Sequence, residues 1–390
     1  MKKHVKNFLP PWLKKKISYL LHKISNRKVR NYYKSKFEKK VLISYIVSPF
    51  RKKMKMSHTN FYEAISVAKI FHELGYQVDI VHYESEGVDV VDYDVIFGFG
   101  EAFKTAFENP YVCDQKTICY GTGMHVNIQN TNTLRRVKEV YKKRRCWLGK
   151  SARFVEKTWT HQTMLVNGII ALGDESCKKS YELFYDGPVF SVPTPFYKTL
   201  DANSLIENRR DNSRRRFLWF GSSGLIHKGL DLCLEYFKMR PDLELHICGD
   251  ISTEPDFERE FSNELYCTKN IFAHGFIDIQ SSLFEKILLD CLFVIYPSCS
   301  EGGSASVLTA VGNGGLIPIV SRETAVSTGY EIPIKELSVD GISSAIDNAL
   351  SLDDEKLMFL QKKNFEYVLN NNSQKNYYLS LKSAIGRLLV

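Results

Sequence analysis

The chain has 390 residues, of which 44% are apolar and 25% charged, so it has enough apolar material for sizeable cores and is long enough for two or three domains. Its net charge of +9 is uneven: residues 1–40 contain 14 lysines and arginines and one acid, whereas the other 350 residues carry 39 basic and 43 acidic side chains. A body with a net charge of −4 argues against nucleic acid as a partner.

The N-terminal stretch FLPPWLKKKISYLLHKI, residues 8–24, has apolar residues at helical spacing with lysines between them. The apolar stripe consists of Trp12, Leu13, Ile17, Leu20, Leu21 and Ile24. This pattern predicts an amphipathic helix on an anionic membrane surface, although a solvated basic arm or a helix docked on its own protein also fits it. No run of about 18 apolar residues and no secretory signal are present, so we expect a cytoplasmic protein, peripheral on the inner face of the membrane through residues 1–40.

From residue 41 onward, short apolar runs alternate with helical stretches. An amphipathic helix is predicted over 60–75, with Gly75 as its C-cap. The strands of the first half are continuously apolar, which predicts a parallel sheet covered on both faces. They are predicted at 41–47, 76–83, 93–100, 116–123, 166–173 and 187–195.

The second half repeats this alternation after a polar segment, 196–216, whose first part is predicted to be a linker. Helices are predicted at 227–241, 283–291 and 356–389. Strands are predicted at 216–222, 243–250, 271–277, 292–298 and 316–321. A ligand site is expected between the two halves, at the carboxyl ends of the strands.

Four parts of the chain follow from this pattern. We predict a basic amphipathic extension over 1–40, a first α/β domain over 41–200 and a second over 201–370. The last part, 371–390, is predicted to be helical.

Three weaker patterns concern metals and cofactors. The nine cysteines form no CxxC pair and no Cys/His cluster, which predicts buried thiols in a reducing compartment. Asp92–Tyr93–Asp94 has DxD spacing but leads directly into a strand, so a loop is predicted there. Gly98–Phe99–Gly100 resembles the start of a dinucleotide fingerprint, but Phe103 replaces its third glycine, so the signal is weak.

The segment CSEGGSASVLTAVGNGG, residues 299–315, joins an apolar strand to a helix of small residues. Such a helix start predicts an anion cradle, because its N–H groups lie at the positive end of the helix dipole. The cradle would consist of the N–H groups of Gly302, Gly303, Ser304 and Ala305 with the hydroxyls of Ser304 and Ser306. The carboxylate of Glu301 suits sugar hydroxyls, and the alternative is that it caps the helix. A phosphate beside a polyol indicates a sugar nucleotide.

The segment FGSSGLIHKGLD, residues 220–231, has the same order of strand, glycine turn and helix. His227 and Lys228 stand at the helix entrance, where a cation opposes the helix dipole. We therefore favour a diphosphate partner for Lys228, which would stabilise a departing nucleoside diphosphate, over a surface role.

These two segments, with HICGD and NIFAHGFID between them, resemble the C-terminal half of GT-B glycosyltransferases of the retaining "glycosyl transferases group 1" family over residues 216–325. The N-terminal half resembles that family more loosely, through YIVSPF, the helix at 60–75 and YGTGMH. The resemblance implies an α/β protein with two Rossmann-like domains that face each other across a cleft. It implies that the N-terminal domain, 41–200, binds the acceptor and that the C-terminal domain, 201–370, binds the nucleotide sugar, with the helix at 371–390 crossing back to the N-terminal domain. It also implies retention of anomeric configuration, with no cofactor and no bound metal.

The resemblance also implies roles for individual residues. The donor diphosphate would be held by Lys228 together with Gly221, Ser222, Ser223 and Gly224. Glu301 matches the first acid of the family's E-x7-E motif, which contacts the transferred sugar. The backbone of Gly275, Phe276 and Ile277 matches the segment beside the nucleobase.

Two positions depart from the family pattern. The arginine that usually follows the first glycine of the diphosphate loop is absent, because Ser222 and Ser223 stand there in a loop one residue longer. The second acid of E-x7-E, which binds ribose hydroxyls, falls on Thr309. A threonine hydroxyl can bond a ribose, but without charge assistance that bond is about half as strong.

Two features of the N-terminal half bear on the acceptor. His125 in YGTGMH follows a strand, and the resemblance implies a place near sugar and acceptor, although a lone histidine is more often structural. The basic clusters at 51–60 and 135–147 would face phospholipid or a polyprenyl-diphosphate acceptor, or form a solvated surface.

Together these features predict a hexosyltransferase-type glycosyltransferase of cell-surface polysaccharide biosynthesis. It would move a sugar from a nucleotide-sugar donor to a glycan or lipid-linked acceptor. The alternative that stays open is a non-catalytic GT-B protein that binds nucleotide sugars or acts as a scaffold. A nucleotide-dependent oxidoreductase or epimerase would need a complete glycine fingerprint after the first strand, where SPFRKKMK has none.

Overall fold

A computed structural model describes residues 27–52, 56–109, 115–157 and 160–390. The amphipathic stretch at 8–24 lies outside these residues. The described chain is an α/β protein with two six-stranded parallel sheets, which confirms the predicted fold class. None of its described helices combines the length and apolar character that a bilayer crossing requires.

The first sheet has the strand order β2-β1-β3-β4-β5-β6. Its strands are β1 (Lys40–Tyr45), β2 (Gln77–His82), β3 (Val95–Gly98), β4 (Lys116–Gly121), β5 (Gly168–Leu172) and β6 (Val189–Val192). The helices along this part of the chain are α1 (Asn60–Glu73), α2 (Glu101–Glu108), α3 (Val126–Arg144), α4 (Thr160–Leu165), α5 (Glu175–Glu182) and α6 (Ala202–Glu207). Strand β1 lies between two apolar neighbours, with Val41 opposite both Val78 and Val95, which is why these strands show no polar alternation.

The second sheet has the strand order β12-β11-β10-β7-β8-β9. Its strands are β7 (Arg216–Phe220), β8 (Glu244–Cys248), β9 (Ile271–Gly275), β10 (Phe293–Tyr296), β11 (Ile317–Ser321) and β12 (Ile332–Ile334). The helices are α7 (Leu230–Met239), α8 (Pro255–Glu260), α9 (Ser262–Tyr266), α10 (Ser282–Asp290), α11 (Ala305–Gly314), α12 (Val339–Ser351), α13 (Asp354–Asn371) and α14 (Gln374–Leu389). The order reverses between β7 and β10, and ligands of open α/β sheets bind beyond the carboxyl ends of strands at such a point.

The chain divides into two compact units, Met1–Tyr120 with Leu165–Gly168 and Gly121–Met164 with Ile169–Val390. The first contains β1 to β3, β4 up to Tyr120, α1 and α2. In the second, α14 packs against β6, with the Arg387 guanidinium 5.7 Å from the centre of the Phe190 ring. The domain boundaries predicted at residues 40, 200 and 370 stay predictions.

The structure contains elements that the hydropathy pattern did not indicate. Helix α3 is the longest of them, and it is strongly polar, with only a short stripe that includes Val137 and Val140 buried. A buried ion pair fixes it, because Arg136 Nη2 lies 2.6 Å from Asp231 Oδ2 at the start of α7. The predicted linker also contains α6. Tertiary contacts stabilise such helices, so apolar periodicity alone does not find them.

The two weak motifs of the first half have structural roles in the first unit. Asp94 accepts a hydrogen bond from the Lys40 N–H at 2.6 Å, and the Tyr93 hydroxyl donates to Asp79 at 2.6 Å, as expected of a loop that holds strand ends. Gly98 leaves no room for a side chain, because a Cβ there would overlap the carbonyl of Ser44. This close approach accounts for the glycine without any bound dinucleotide.

Candidate functional site

The loop after β7 is held by an acid that the sequence analysis did not select. The buried carboxylate of Glu254, the residue before α8, accepts hydrogen bonds from the N–H groups of Gly224 and Leu225, the second at 3.1 Å. The N–H of Gly221 donates to the Cys248 carbonyl at 3.0 Å. The N–H groups of Gly221 and Gly224, two residues predicted to hold phosphate, thus donate hydrogen bonds within the protein. The sequence indicates Glu254 only weakly, because the one local signal is an acid before the proline that starts a helix.

Lys228 projects from this loop toward its serines. Its side chain is buried, and its Nζ donates to Ser222 Oγ at 2.8 Å. Burial lowers the pKa of Lys228 to about 8, against the opposing charge of Glu301. The backbone of Lys228 is also fixed, because the Trp219 indole N–H donates to its carbonyl at 3.2 Å. A buried ammonium with one hydroxyl partner is well placed to bind an anion.

Glu301 follows β10 and faces the same group of charges. Its side chain is only 12% exposed, and Ser298 Oγ donates to its Oε1 at 3.3 Å. Burial acts to raise the pKa of Glu301, but the charges of Lys228 and Arg153 outweigh it, so the pKa lies below its usual range. The N-cap of α11 is Ser304 and not Glu301, which disfavours the helix-capping alternative.

A second residue that the sequence analysis missed is Arg153, which ends the 3₁₀ turn Gly149–Ala152. Its Nη1 lies 3.5 Å from Glu301 Oε2, and its side chain is 45% exposed. Nothing in the motif RCWLGKSARF marks this arginine, because its partners lie far away in sequence.

The glycines before α11 are required by close packing. A Cβ on Gly302 would lie 2.5 Å from the Thr122 carbonyl oxygen. A Cβ on Gly303, whose φ is +68°, would lie 2.5 Å from Thr194 Oγ1. The Thr194 hydroxyl in turn donates to the Gly302 carbonyl at 2.5 Å. Packing alone therefore explains why both residues are glycine.

The predicted anion cradle at the start of α11 is partly occupied by the protein's own groups. The Ser304 N–H donates to the Thr324 carbonyl at 3.1 Å, and the hydroxyls of Ser304 and Ser306 lie 3.0 Å apart. Phosphate binding by Gly302, Gly303 and Ala305 stays a prediction, whereas the Ser304 N–H already has a partner.

His227 connects the two loops. Its Nε2 lies 2.5 Å from the Ser300 carbonyl oxygen, and its own carbonyl accepts from the Cys299 N–H at 2.9 Å. Burial lowers the pKa of His227 to about 4, so the ring is neutral near pH 7. It therefore adds no positive charge to the site.

The contacts of His125 lie around the start of α3. Its Nδ1 accepts from the Asn127 N–H at 3.3 Å as the N-cap of α3, and its Nε2 lies 2.8 Å from Thr163 Oγ1. The ring stacks on Phe184 at 4.3 Å, and burial lowers the pKa of His125 to about 4. No contact within the described residues joins it to Lys228 or Glu301, so its predicted place near sugar and acceptor stays a prediction.

Two further predicted positions lie after β9 and within α11. Phe276 is 64% exposed after β9, while Ile277 is buried and the Gly275 carbonyl accepts from the Gly249 N–H at 2.8 Å. The Thr309 hydroxyl donates within its own helix, to the Ala305 carbonyl at 2.6 Å. An exposed aromatic ring fits a place beside a nucleobase, whereas the Thr309 hydroxyl already has a partner.

A cavity of about 330 Å³ adjoins the loop before α11. Gly303, Leu308, Asp174 and Tyr367 line it, among others. The part of the chain that the structure describes contains no group of three or more histidines, cysteines or acids that could hold a metal ion.

Comparisons with known proteins extend this picture. No protein-family model and no curated protein sequence matches the chain. The structure is similar to trehalose 6-phosphate synthase from Burkholderia multivorans, with a TM-score of 0.60 and 9% identity over 90% of this chain and 97% of that one. It is also similar to HepE from Anabaena, solved with UDP and glucose, with a TM-score of 0.56 and 9% identity over 90% and 99% of the two chains.

A third similar structure, TarM, has a TM-score of 0.51 and 15% identity over 77% of this chain. The match covers 55% of TarM, so this chain spans about half of that protein's length. These solved neighbours are GT-B glycosyltransferases. At such identities the similarity concerns the fold, and the chain has the GT-B fold.

Proposed function

We propose that this protein is a glycosyltransferase that moves a sugar from a nucleotide-sugar donor to a hydroxyl group of a glycan or lipid-linked acceptor. The observation that carries the proposal is the meeting of Lys228, Arg153 and Glu301 beyond the carboxyl ends of β7 and β10, where the strand order reverses. Cations suit a diphosphate and an ionised carboxylate suits sugar hydroxyls, so this group fits both parts of such a donor.

The reaction breaks the bond between the anomeric carbon of the sugar and the oxygen of the terminal phosphate. The electron pair leaves with the nucleoside diphosphate, and the acceptor oxygen forms the new bond to the anomeric carbon while its proton is released. Lys228 would stabilise the charge that grows on the leaving phosphate, an interaction that is stronger in the transition state than in the ground state. Glu301 would orient the sugar through its hydroxyls.

Solved neighbours suggest which donors to test first. TarM was solved with UDP and α-GlcNAc-glycerol, and HepE was solved with UDP and glucose. A uridine diphosphate sugar is therefore the first candidate donor. Phe276 would pack against the base, and the ribose would lie near Thr309.

The finer features of the proposal come from the sequence. They are membership of the group 1 family, hexosyl transfer with retention, independence of metal ions, and a role in cell-surface polysaccharide synthesis. We also propose that the protein is cytoplasmic and that residues 1–40 hold it at the inner face of the membrane. Flotation with anionic vesicles tests that last point, because equal flotation of the chain with and without residues 1–40 would contradict it.

A donor screen followed by turnover measurements tests the enzymatic proposal. Thermal shifts with UDP-, GDP-, ADP- and CMP-sugars identify the donor, because a ligand that binds the folded state raises the melting temperature. Release of nucleoside diphosphate is then measured with lipid or glycan extracts for the wild type, Lys228→Met and Glu301→Gln. We expect losses of about 100-fold or more in both variants, as for removal of a transition-state donor.

The rival, a non-catalytic binding or scaffold protein, predicts a different result. It would bind a sugar nucleotide and never release nucleoside diphosphate with any acceptor. That outcome would exclude the enzyme.

A further inference from the structure

We infer that Arg153 binds the donor diphosphate as a second cation beside Lys228. This inference deepens the proposed function and rests on it, because it concerns the same anion. Ser222 and Ser223 are uncharged, so Lys228 is the one cationic side chain that the loop itself brings to the diphosphate.

The formal charges around Lys228 show why a second cation is needed. Glu254 and Glu301 both flank the lysine, and both act on its pKa. His227 is neutral near pH 7 because its pKa is about 4. Lys228 with two carboxylates has a net charge of −1, which would repel a diphosphate. Arg153 brings the sum to zero.

Arg153 is electrostatically part of this group. Its charge lowers the pKa of Lys228 and helps to lower the pKa of Glu301, each time as a smaller contribution beside burial. Its guanidinium is half exposed, so an incoming anion can reach it.

The turn that carries Arg153 is anchored at several points. The His227 N–H donates to the Ser151 carbonyl at 3.3 Å, and Gln129 Nε2 in α3 donates to the Arg153 carbonyl at 3.1 Å. Thr133, also in α3, donates its hydroxyl to the Ala152 carbonyl. Arg153 itself has a φ of +49°, in the left-handed region that non-glycine residues seldom adopt. The backbone is thus held in an unusual conformation that directs this side chain.

The loop after β7 makes room for the arginine. A Cβ on Gly224, whose φ is +90°, would lie 3.1 Å from Cβ and 3.2 Å from Cδ of Arg153. The aliphatic part of Arg153 therefore packs directly on the loop that also carries Lys228. Gly224 is therefore required for two reasons, its positive φ and the close approach of Arg153.

The contact between Arg153 and Glu301 is loose enough to exchange. Their closest atoms are 3.5 Å apart, whereas a charge-assisted hydrogen bond is about 2.7–2.9 Å long. A diphosphate offers more negative charge and a bidentate geometry, so it would draw the guanidinium away from the carboxylate. Glu301 would then accept hydrogen bonds from the sugar of the same donor.

Calorimetric binding to inorganic pyrophosphate and to UDP, GDP, ADP and CDP, each compared with its nucleoside, tests this role. We expect Arg153→Asn to weaken diphosphate and pyrophosphate binding by about 10- to 100-fold, the value of one hydrogen bond between charged groups. Nucleoside binding should not change. Asparagine tolerates the left-handed backbone, so the variant removes the charge with little strain.

Two matched variants complete the design. Lys150→Asn removes an exposed cation from the same turn and should change affinity less than about twofold, because exposed charges are screened. Arg153→Lys keeps the charge without the planar fork and should recover part of the lost affinity. If Arg153→Asn does not fold, Arg153→Gly decides, because glycine adopts the left-handed backbone freely and also removes the charge. Diphosphate affinity equal to that of the wild type would then overturn the inference.

The outcomes separate this inference from the proposed function. Equal diphosphate binding by wild type and Arg153→Asn would overturn the role of Arg153 and leave the glycosyltransferase proposal intact. An equal loss for nucleosides and diphosphates would show a structural effect and also overturn it. A folded wild type that binds neither pyrophosphate nor any nucleoside diphosphate would overturn both.

Discussion

The loop after β7 and the loop after β10 share one pattern, an apolar strand followed by glycines and a helix, yet the structure uses their glycines differently. In the first loop, Gly224 makes room for Arg153, and its N–H is bonded to Glu254. In the second loop, Gly302 and Gly303 allow close contacts with Thr122 and Thr194.

Packing and internal hydrogen bonds can therefore account for a glycine-rich helix start without a bound anion. Both loops bond some of their N–H groups within the protein, so the charged side chains of Lys228, Arg153 and Glu301 distinguish this region. We therefore expect substitutions of the packed glycines and of Glu254 to change the stability of the protein, and substitutions of the charged side chains to change diphosphate binding.

Gly302→Ala should give the largest loss of stability. Its Cβ would lie 2.5 Å from a backbone oxygen that cannot move aside easily, and such overpacking costs about 3 kcal/mol. The matched control is Gly275→Ala, where no atom lies within 4 Å of the new Cβ and only the positive φ of +71° is unfavourable, at about 1 kcal/mol. Urea unfolding of both variants measures the difference. Equal losses would contradict the packing role of Gly302.

Glu254→Ala should destabilise the first loop by about 2 kcal/mol, because it leaves the buried N–H groups of Gly224 and Leu225 without their acceptor. Glu254→Gln keeps one acceptor oxygen and should cost less. Anion binding should survive, since the variant also removes a negative charge beside Lys228. Urea unfolding and pyrophosphate titration together check this, and a stable Glu254→Ala protein would disprove the role of the acid.

Binding of diphosphates should weaken as the pH rises through about 8. Lys228 has a pKa of about 8, and only its protonated form attracts the anion, so affinity is full below this pH and falls above it. The decline approaches about tenfold per pH unit until the higher pKa of the complex is reached. Titrations from pH 6 to 10 measure the profile. Lys228→Arg should remove the decline, and an unchanged slope in that variant would assign the titration to another group.

Thr309→Val should have the smallest effect. Its hydroxyl bonds the Ala305 carbonyl within α11, so the change should cost less than about 1 kcal/mol. The ratio of affinities for a ribonucleoside diphosphate and its 2′-deoxy form should also stay constant. A ratio that shifts toward one would show that Thr309 contacts the ribose in spite of its internal bond.

The fold class and the two segments that carry Lys228 and Glu301 could be predicted from the sequence alone. Continuous apolar runs are a property of buried parallel strands, and each segment is a local pattern that needs no distant partner to be recognised. The same local signals did not find the polar helix α3, because a buried ion pair between Arg136 and Asp231 contributes to holding it.

The grouping of residues around Lys228 in the candidate site is visible in the tertiary structure alone. Arg153 and Glu254 reach the loop after β7 from positions 71 residues before and 30 residues after Gly224, so no spacing rule connects them to it. The motif of His125 is visible in the sequence, whereas its position as the N-cap of α3 is visible only in the structure, and its predicted place near sugar and acceptor stays a prediction. Burial and charge depend on chain segments that folding brings together. For that reason, neither the lowered pKa of Lys228 nor the contact between Arg153 and Glu301 could be predicted from the sequence.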